Sequence, residues 1–189
     1  MAGPVPPAAS PADAAPAILA FWFDELSEAQ HWAKDPALDR LIATRFGKVR
    51  DAVLATGAKA WRDTPDHLLA AIVLLDQFSR NIHRGTARAF EGDVLALELA
   101  KLALERDWVD RVAPDRVEFF LTPLMHSEQL ADQQRSVEEY RQRGHPNLKF
   151  AILHHAQIAM FGRFPGRNSA LGRRTTAKEQ DALDDGAAF

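Results

Sequence analysis

Apolar residues recur at intervals of three and four along nearly the whole 189-residue chain, and no alternating run of useful length interrupts them. Steps of three and four return a side chain to one face of a 3.6-residue turn, so the pattern predicts amphipathic helices and an all-α fold. Asp35-Pro36 reads as a cap and a first helical residue. Leu38, Leu41, Ile42, Phe46, Val49 and Val53 form the inward face, and Gly57 is the stop. Thr64-Pro65 repeats the start signal ahead of Leu68, Leu69, Ile72, Val73, Leu74, Leu75 and Phe78. That stretch is apolar on most sides and is expected at the centre. Further helices are expected from Pro16 to Leu26 and from about Phe90 to Arg106, the latter with Val94, Leu95, Leu97, Leu99, Leu102 and Leu104 inward. Another is expected from Val117 to about Arg143, kinked or split at Pro123, which cannot donate a helical hydrogen bond. Leu148 to Phe161 is helical with Gly162 as a left-handed cap, and Thr176 to Glu179 fits a capping box that opens a short last helix.

This gives about seven or eight helices in a single domain over 17–183. Residues 1–16 hold five prolines and six alanines and are expected as a disordered or extended arm; 184–189 are expected to fray. Trp22, Trp32, Trp61 and Trp108 are expected as core anchors.

Composition removes several classes of function. With no cysteine there are no disulfides, thiolate metal sites or thiol nucleophiles. Lys and Arg total 23 against 26 Asp and Glu, a net charge of −3, which argues against a nucleic-acid partner because such affinity rests on positive charge meeting phosphate. No run of 18 uncharged apolar residues occurs, so no membrane span or membrane partner is expected. The first basic residue is Lys34, which does not suit a secretory leader, and the expected location is the cytoplasm. There is no GxGxxG, Walker loop, GxSxG, EF-hand loop or HExxH spacing, so no cofactor and no metal site is expected.

Three polar segments interrupt this apolar framework. The first is Asp76-Gln77-Phe78-Ser79-Arg80-Asn81-Ile82-His83-Arg84, at the end of the most apolar helix. Asp76 and Arg80 are four apart and share a face, with Arg84 one turn further on. They form either an ion pair closing a buried helix end or an anion site with Arg80 and Arg84 as forked donors. The second runs from Pro123 through His126, Ser127 and Glu128 to Asp132. His126 and Glu128 point about 200° apart on a regular helix and converge only where the helix breaks. The third, from Phe161 to Thr176, carries Arg163, Arg167, Arg173 and Arg174 with Asn168 and no acid, and leads into a helix start, whose unpaired N–H groups attract anions. His154 and His155 are adjacent on one helix and do not form a chelating pair; His154 is expected in the interior. Gly92 to Ala103 reads like the second helix of a tetratricopeptide repeat, with Ala96 and Ala103 seven apart and Ala100 where an aromatic is usual.

These segments carry a resemblance. Leu75-Asp76-Gln77-Phe78-Ser79-Arg80-Asn81, Pro123 to Glu128 with Asp132-Gln133, and Phe161-Gly162-Arg163-Phe164-Pro165 with Arg167-Asn168 and Leu171-Gly172-Arg173 resemble an uncharacterised, mainly bacterial family, a domain of unknown function. Phe21-Trp22-Phe23 and Trp32 fit it too, so the resemblance spans about residues 17–183. It implies a tetratricopeptide-like right-handed α-α superhelix and no established activity. The family's polar signature falls on Asp76, Gln77, Arg80, Asn81, His126, Ser127, Glu128, Arg163, Arg167 and Asn168, and His154 matches as well. The chain departs from it at Ala156, Met160 and Gly166, where an acid, a basic residue and a histidine are expected.

The resulting expectation is a helical protein that binds a small anionic molecule through Asp76, Gln77, Arg80, Asn81, Arg84, Ser127, His154, Arg163, Arg167 and Asn168. One alternative is an interaction module that takes an acidic peptide in a groove. Another is an enzyme with His126 and Glu128 as its acid–base pair.

Overall fold

The computed structural model describes residues 3–186. Among the described residues every regular element is a helix or helical turn, and there is no strand. The all-α expectation therefore holds.

Helix α1 spans Pro11–Ala20 and continues through a wider π-type turn, Phe21–Glu25. It starts inside the stretch expected as an extended arm. Ser10 caps it by accepting from the Asp13 N–H at 3.3 Å, and Pro11 occupies the first turn, where its missing N–H costs nothing. Ala14, Ala15, Ile18 and Leu19 are buried along it, and Val5, further upstream, is tied down by its N–H donating to the Arg45 carbonyl at 2.8 Å. Helix α2 is one turn, Glu28–His31, and α3 spans Pro36–Ala55 with Asp35 accepting from the Ala37 N–H at 2.8 Å. Helix α4, Pro65–Ile72, passes through a π-type segment, Val73–Phe78, into the single turn α5, Ser79–Ile82. All of Leu68–Asp76 is fully buried, so this helix is the central one, as its apolar circumference predicts. Helix α6 spans Asp93–Glu105, α7 Pro114–Met125, α8 Leu130–Gln142, α9 Leu148–Phe161 and α10 Ala177–Asp184.

The chain groups into two compact units. One comprises the chain up to Arg84 together with Arg88–Phe120; the other comprises Gly85–Ala87 and the chain from Leu121 onward. The core of the first is aromatic. Phe21, Phe46 and Phe78 meet with ring centroids 4.9–5.9 Å apart, and Trp22 lies on His31 at 4.3 Å. In the second unit α8 and α9 form a helical hairpin that buries polar residues, among them Asp132, Gln133, Ser136, His154 and Gln157.

Several expectations need correction. Leu41 and Trp32 are 36% and 50% exposed, so neither anchors the core. On α6 the buried set is Ala96, Leu99, Ala100 and Ala103, while Val94 is 80% exposed. Leu99 faces inward as expected, joined by three alanines, and the start of α6 runs close to the central helix: a Cβ on Gly92 would lie 2.5 Å from the Leu75 carbonyl oxygen. The long helix expected over 117–143 breaks after Met125, beyond Pro123, which stays inside α7. Among the described residues no helix is long and apolar enough to cross a membrane. Residues 187–189 of the expected frayed tail lie outside the described residues.

Candidate functional site

The first polar segment lies in the first unit. The π-type segment holds Asp76 and Gln77 in the interior, and Gln77 Nε2 donates to Asp76 Oδ2 at 2.5 Å. Arg80 sits one turn on. It donates to the Asp76 carbonyl at 2.8 Å, lies 3.0 Å from the Asp76 carboxylate, and grips both oxygens of Asp93 at 2.8 and 3.0 Å. Burial would lower the Arg80 pKa, but the charges of Asp76 and Asp93 raise it on balance. Arg84 clasps Asp39 with Nε and Nη2 at 2.7 and 2.8 Å, and Asn81 Nδ2 donates to the same carboxylate at 2.8 Å. Burial would raise the pKa of Asp39; the bonds from Arg84 and Asn81 outweigh it and hold the group below its ordinary value.

The second and third segments meet in the second unit. Beyond Met125 the chain leaves the helix, so His126 and Glu128 are no longer on opposite faces of one cylinder. Gln133 Nε2 closes the helix end by donating to the Met125 and Ser127 carbonyls at 2.7 and 2.6 Å. Ser127 Oγ donates to Asp132 at 2.8 Å. Glu128 reaches the arginine loop, where it accepts from Arg173 Nη1 and Nη2 at 2.7 and 3.0 Å and from the Phe164 N–H at 2.8 Å. Burial would raise the Glu128 pKa; Arg173, the Phe164 N–H and the charge of Arg167 lower it overall.

Arg167 is buried, donates to the His126 carbonyl at 2.9 Å, and lies over the Phe164 ring at 4.6 Å. The His154 ring packs edge-on to Phe164 at 5.4 Å and sits 6.1 Å from the His126 ring. His154 Nδ1 lies 2.8 Å from the Phe150 carbonyl. A carbonyl only accepts, so Nδ1 carries the proton and Nε2 is the basic nitrogen. Asn168 is 1% exposed and donates to Thr175 Oγ1 at 3.3 Å, while its buried Oδ1 has no hydrogen-bond partner. Arg163 is turned to another task. It clasps Glu179, in the first turn of α10, through Nε and Nη2 at 2.6 and 2.9 Å. Glu179 also completes the capping box with Thr176.

One trio has the donor set for a metal. Asp51, His83 and Glu91 offer ligand atoms within 4.8 Å of one another. Arg50, fully buried, already bonds both carboxylates with Nη1, and Arg88 flanks them at 3.5 and 3.4 Å. A guanidinium thus occupies the place a cation would take.

Residues 18–187 match the family described as bacterial protein of unknown function (DUF924). The chain belongs to this family. It is also similar to a solved structure of a protein of unknown function, ATU0120, from Agrobacterium tumefaciens. The two share 35% identity over 93% of this chain and 99% of that one, with a TM-score of 0.87. No curated protein matches the chain. The polar residues that carry the resemblance thus fall into two clusters, Asp76 to Asn81 in one unit and His126 to Asn168 in the other. Sequence reasoning missed Asp93, Asp39 and Glu179, which pair with Arg80, Arg84 and Arg163, and Arg50, which bonds Asp51 and Glu91. Asp76–Arg80 has a helical spacing, whereas Asp39 and Arg84 are 45 residues apart.

Proposed function

We propose that this DUF924 protein binds a small anion, a phosphate or carboxylate, at the cluster of His126, His154, Phe164 and Arg167. The observation that carries the reading is the meeting of two imidazoles 6.1 Å apart beside a buried guanidinium lying over an aromatic ring. Arg167 and Arg173 share Glu128, so this trio is net positive before either histidine takes a proton. A guanidinium fork suits an oxyanion, and an imidazole joins it as a donor through a protonated ring nitrogen, which for His154 is Nε2 in the imidazolium form. Ser127 and Asn168 enter this reading as positioning residues, through their bonds to Asp132 and Thr175.

Arg80, Arg84 and Arg163 have a structural part in this reading, since each is clasped by a carboxylate. That pairing also counts against an acidic peptide as ligand, which would have to displace Asp93, Asp39 or Glu179. Binding is favoured over catalysis, because a carboxylate held ionised by Arg173 and the Phe164 N–H is a weak general base. The tetratricopeptide-type right-handed superhelix belongs to the same proposal. Its support is the α8–α9 hairpin and the burial of Ala96, Ala100 and Ala103 on α6.

The test is thermal unfolding of the full chain with inorganic phosphate, sulfate and small carboxylates. A ligand at 100 times its dissociation constant adds about 2.7 kcal/mol, or roughly 5–10 °C for a chain of this length. That shift is expected to vanish in Arg167→Met and shrink in His154→Ala. A shift equal in wild type and both variants refutes the site.

A further inference from the structure

Helix α9 buries Ala151 and Ile158 but also carries an apolar outer face. Its polar residues His154 and Gln157 are buried, while Ile152, Leu153 and Met160 are 44%, 49% and 74% exposed. Ala156 and Ala159 lie exposed between them. At 3.6 residues per turn these five positions fall within an arc of about 120°. Lys149 is the one Lys, Arg, Asp or Glu on the helix. A contiguous apolar stripe of this kind on a folded chain marks a contact surface. Beside the stripe runs a groove of about 580 Å³, lined by Val137, Glu138 and Arg141 of α8 and by Ile152 and His155 of α9.

We propose that this face, α9 with the adjoining edge of α8, is where a second copy of the chain docks. The surface is complementary to itself in shape and in charge. It carries both the exposed Met160 and a groove in which Val137 and Ile152 offer apolar contact among polar residues, so each copy has a knob for the other's groove. Glu138 and Arg141, one of each sign and three residues apart, lie on the groove wall. A two-fold axis sets each Glu138 against the other copy's Arg141, and the interface is the same patch used twice. An acidic or basic peptide would find only half of this charge pattern. The central Ala156 lets the two helices approach closely. One helix face about 21 Å long falls short of the roughly 800 Å² per partner of a stable interface, so the edge of α8 has to be part of the contact.

Sedimentation of the full chain over a wide concentration range reads the outcome directly. The wild type is expected at twice the 21.0 kDa chain mass. Leu153→Glu with Met160→Glu is expected to raise the dissociation constant by roughly 30-fold or more without changing the helical circular dichroism, since both side chains are exposed. Glu138→Arg and Arg141→Glu should each weaken the dimer, and the two together should restore it. A wild type at the single-chain mass throughout overturns the proposal, whether or not the face then binds an apolar peptide or a lipid vesicle. So does a dimer indifferent to all four substitutions.

Discussion

Arg50 has no exposed surface, yet it carries a full charge into the first unit. Its Nε donates to Ser79 Oγ at 2.9 Å, its Nη1 to Asp51 at 2.8 Å and to Glu91. Arg50→Met keeps the stem and removes the donors, leaving Glu91 without its main partner. Breaking a buried pair costs roughly 3–5 kcal/mol; Glu91 and Asp51 keep 32% and 56% exposure, so the expected loss is about 2–4 kcal/mol. Scanning calorimetry should then show a melting temperature lower by roughly 5–15 °C; an unchanged one contradicts this account of Arg50. Glu179 supplies a pH-dependent counterpart. The Arg163 hydrogen bond, followed by the Thr176 N–H, holds its pKa at about 2, below its ordinary 4.5. The unfolded state therefore takes the proton first as pH falls. The Glu179 contribution is complete above about pH 4.5 and is lost as pH falls toward 2. Glu179→Gln should flatten the stability–pH curve in that window and leave its shape near neutrality unchanged. A curve that stays as steep as the wild type's excludes Glu179 as its source.

Helix ends were the most readable features of the sequence, because caps are local. Asp35, Thr64 and Thr176 each cap the helix they announce, and Gly162 ends α9 with φ at 70°. Inward faces were less readable where packing distance, and not hydrophobicity, decides. On α6 only Leu99 of the expected inward leucines is fully buried, and three alanines share its face; at the start of the helix the approach to Leu75 leaves no room for a Cβ on Gly92. Gly92 has φ at −86°, an ordinary value, so its lack of a side chain serves that approach alone. Gly92→Ala should lose about 1–3 kcal/mol through overpacking against a backbone carbonyl that cannot swing away. Denaturant titration checks this, and an alanine variant as stable as the wild type would mean that α6 can shift at no cost. The end of α7 was illegible for a related reason. Pro123 marks an irregularity, but the break follows Met125, where a side chain from α8, Gln133, takes over the loose carbonyls.

For the molecule as a whole, all-helical character and membership of the DUF924 family were legible, the first from period and the second from long motifs. The division of labour among the signature charges was not, because it depends on carboxylates brought from 13 to 45 residues away. Those pairings separate arginines that hold the helices from one that lies over Phe164 beside two imidazoles. The central claim is that the second group receives an oxyanion. Proton NMR of the histidine rings during titration with inorganic phosphate tests it most directly. The His126 and His154 resonances should move together along one saturable curve, and the movement should be absent in Arg167→Met. Resonances that stay fixed while the wild type is exposed to phosphate, sulfate and small carboxylates, or that move equally in Arg167→Met, would contradict the account.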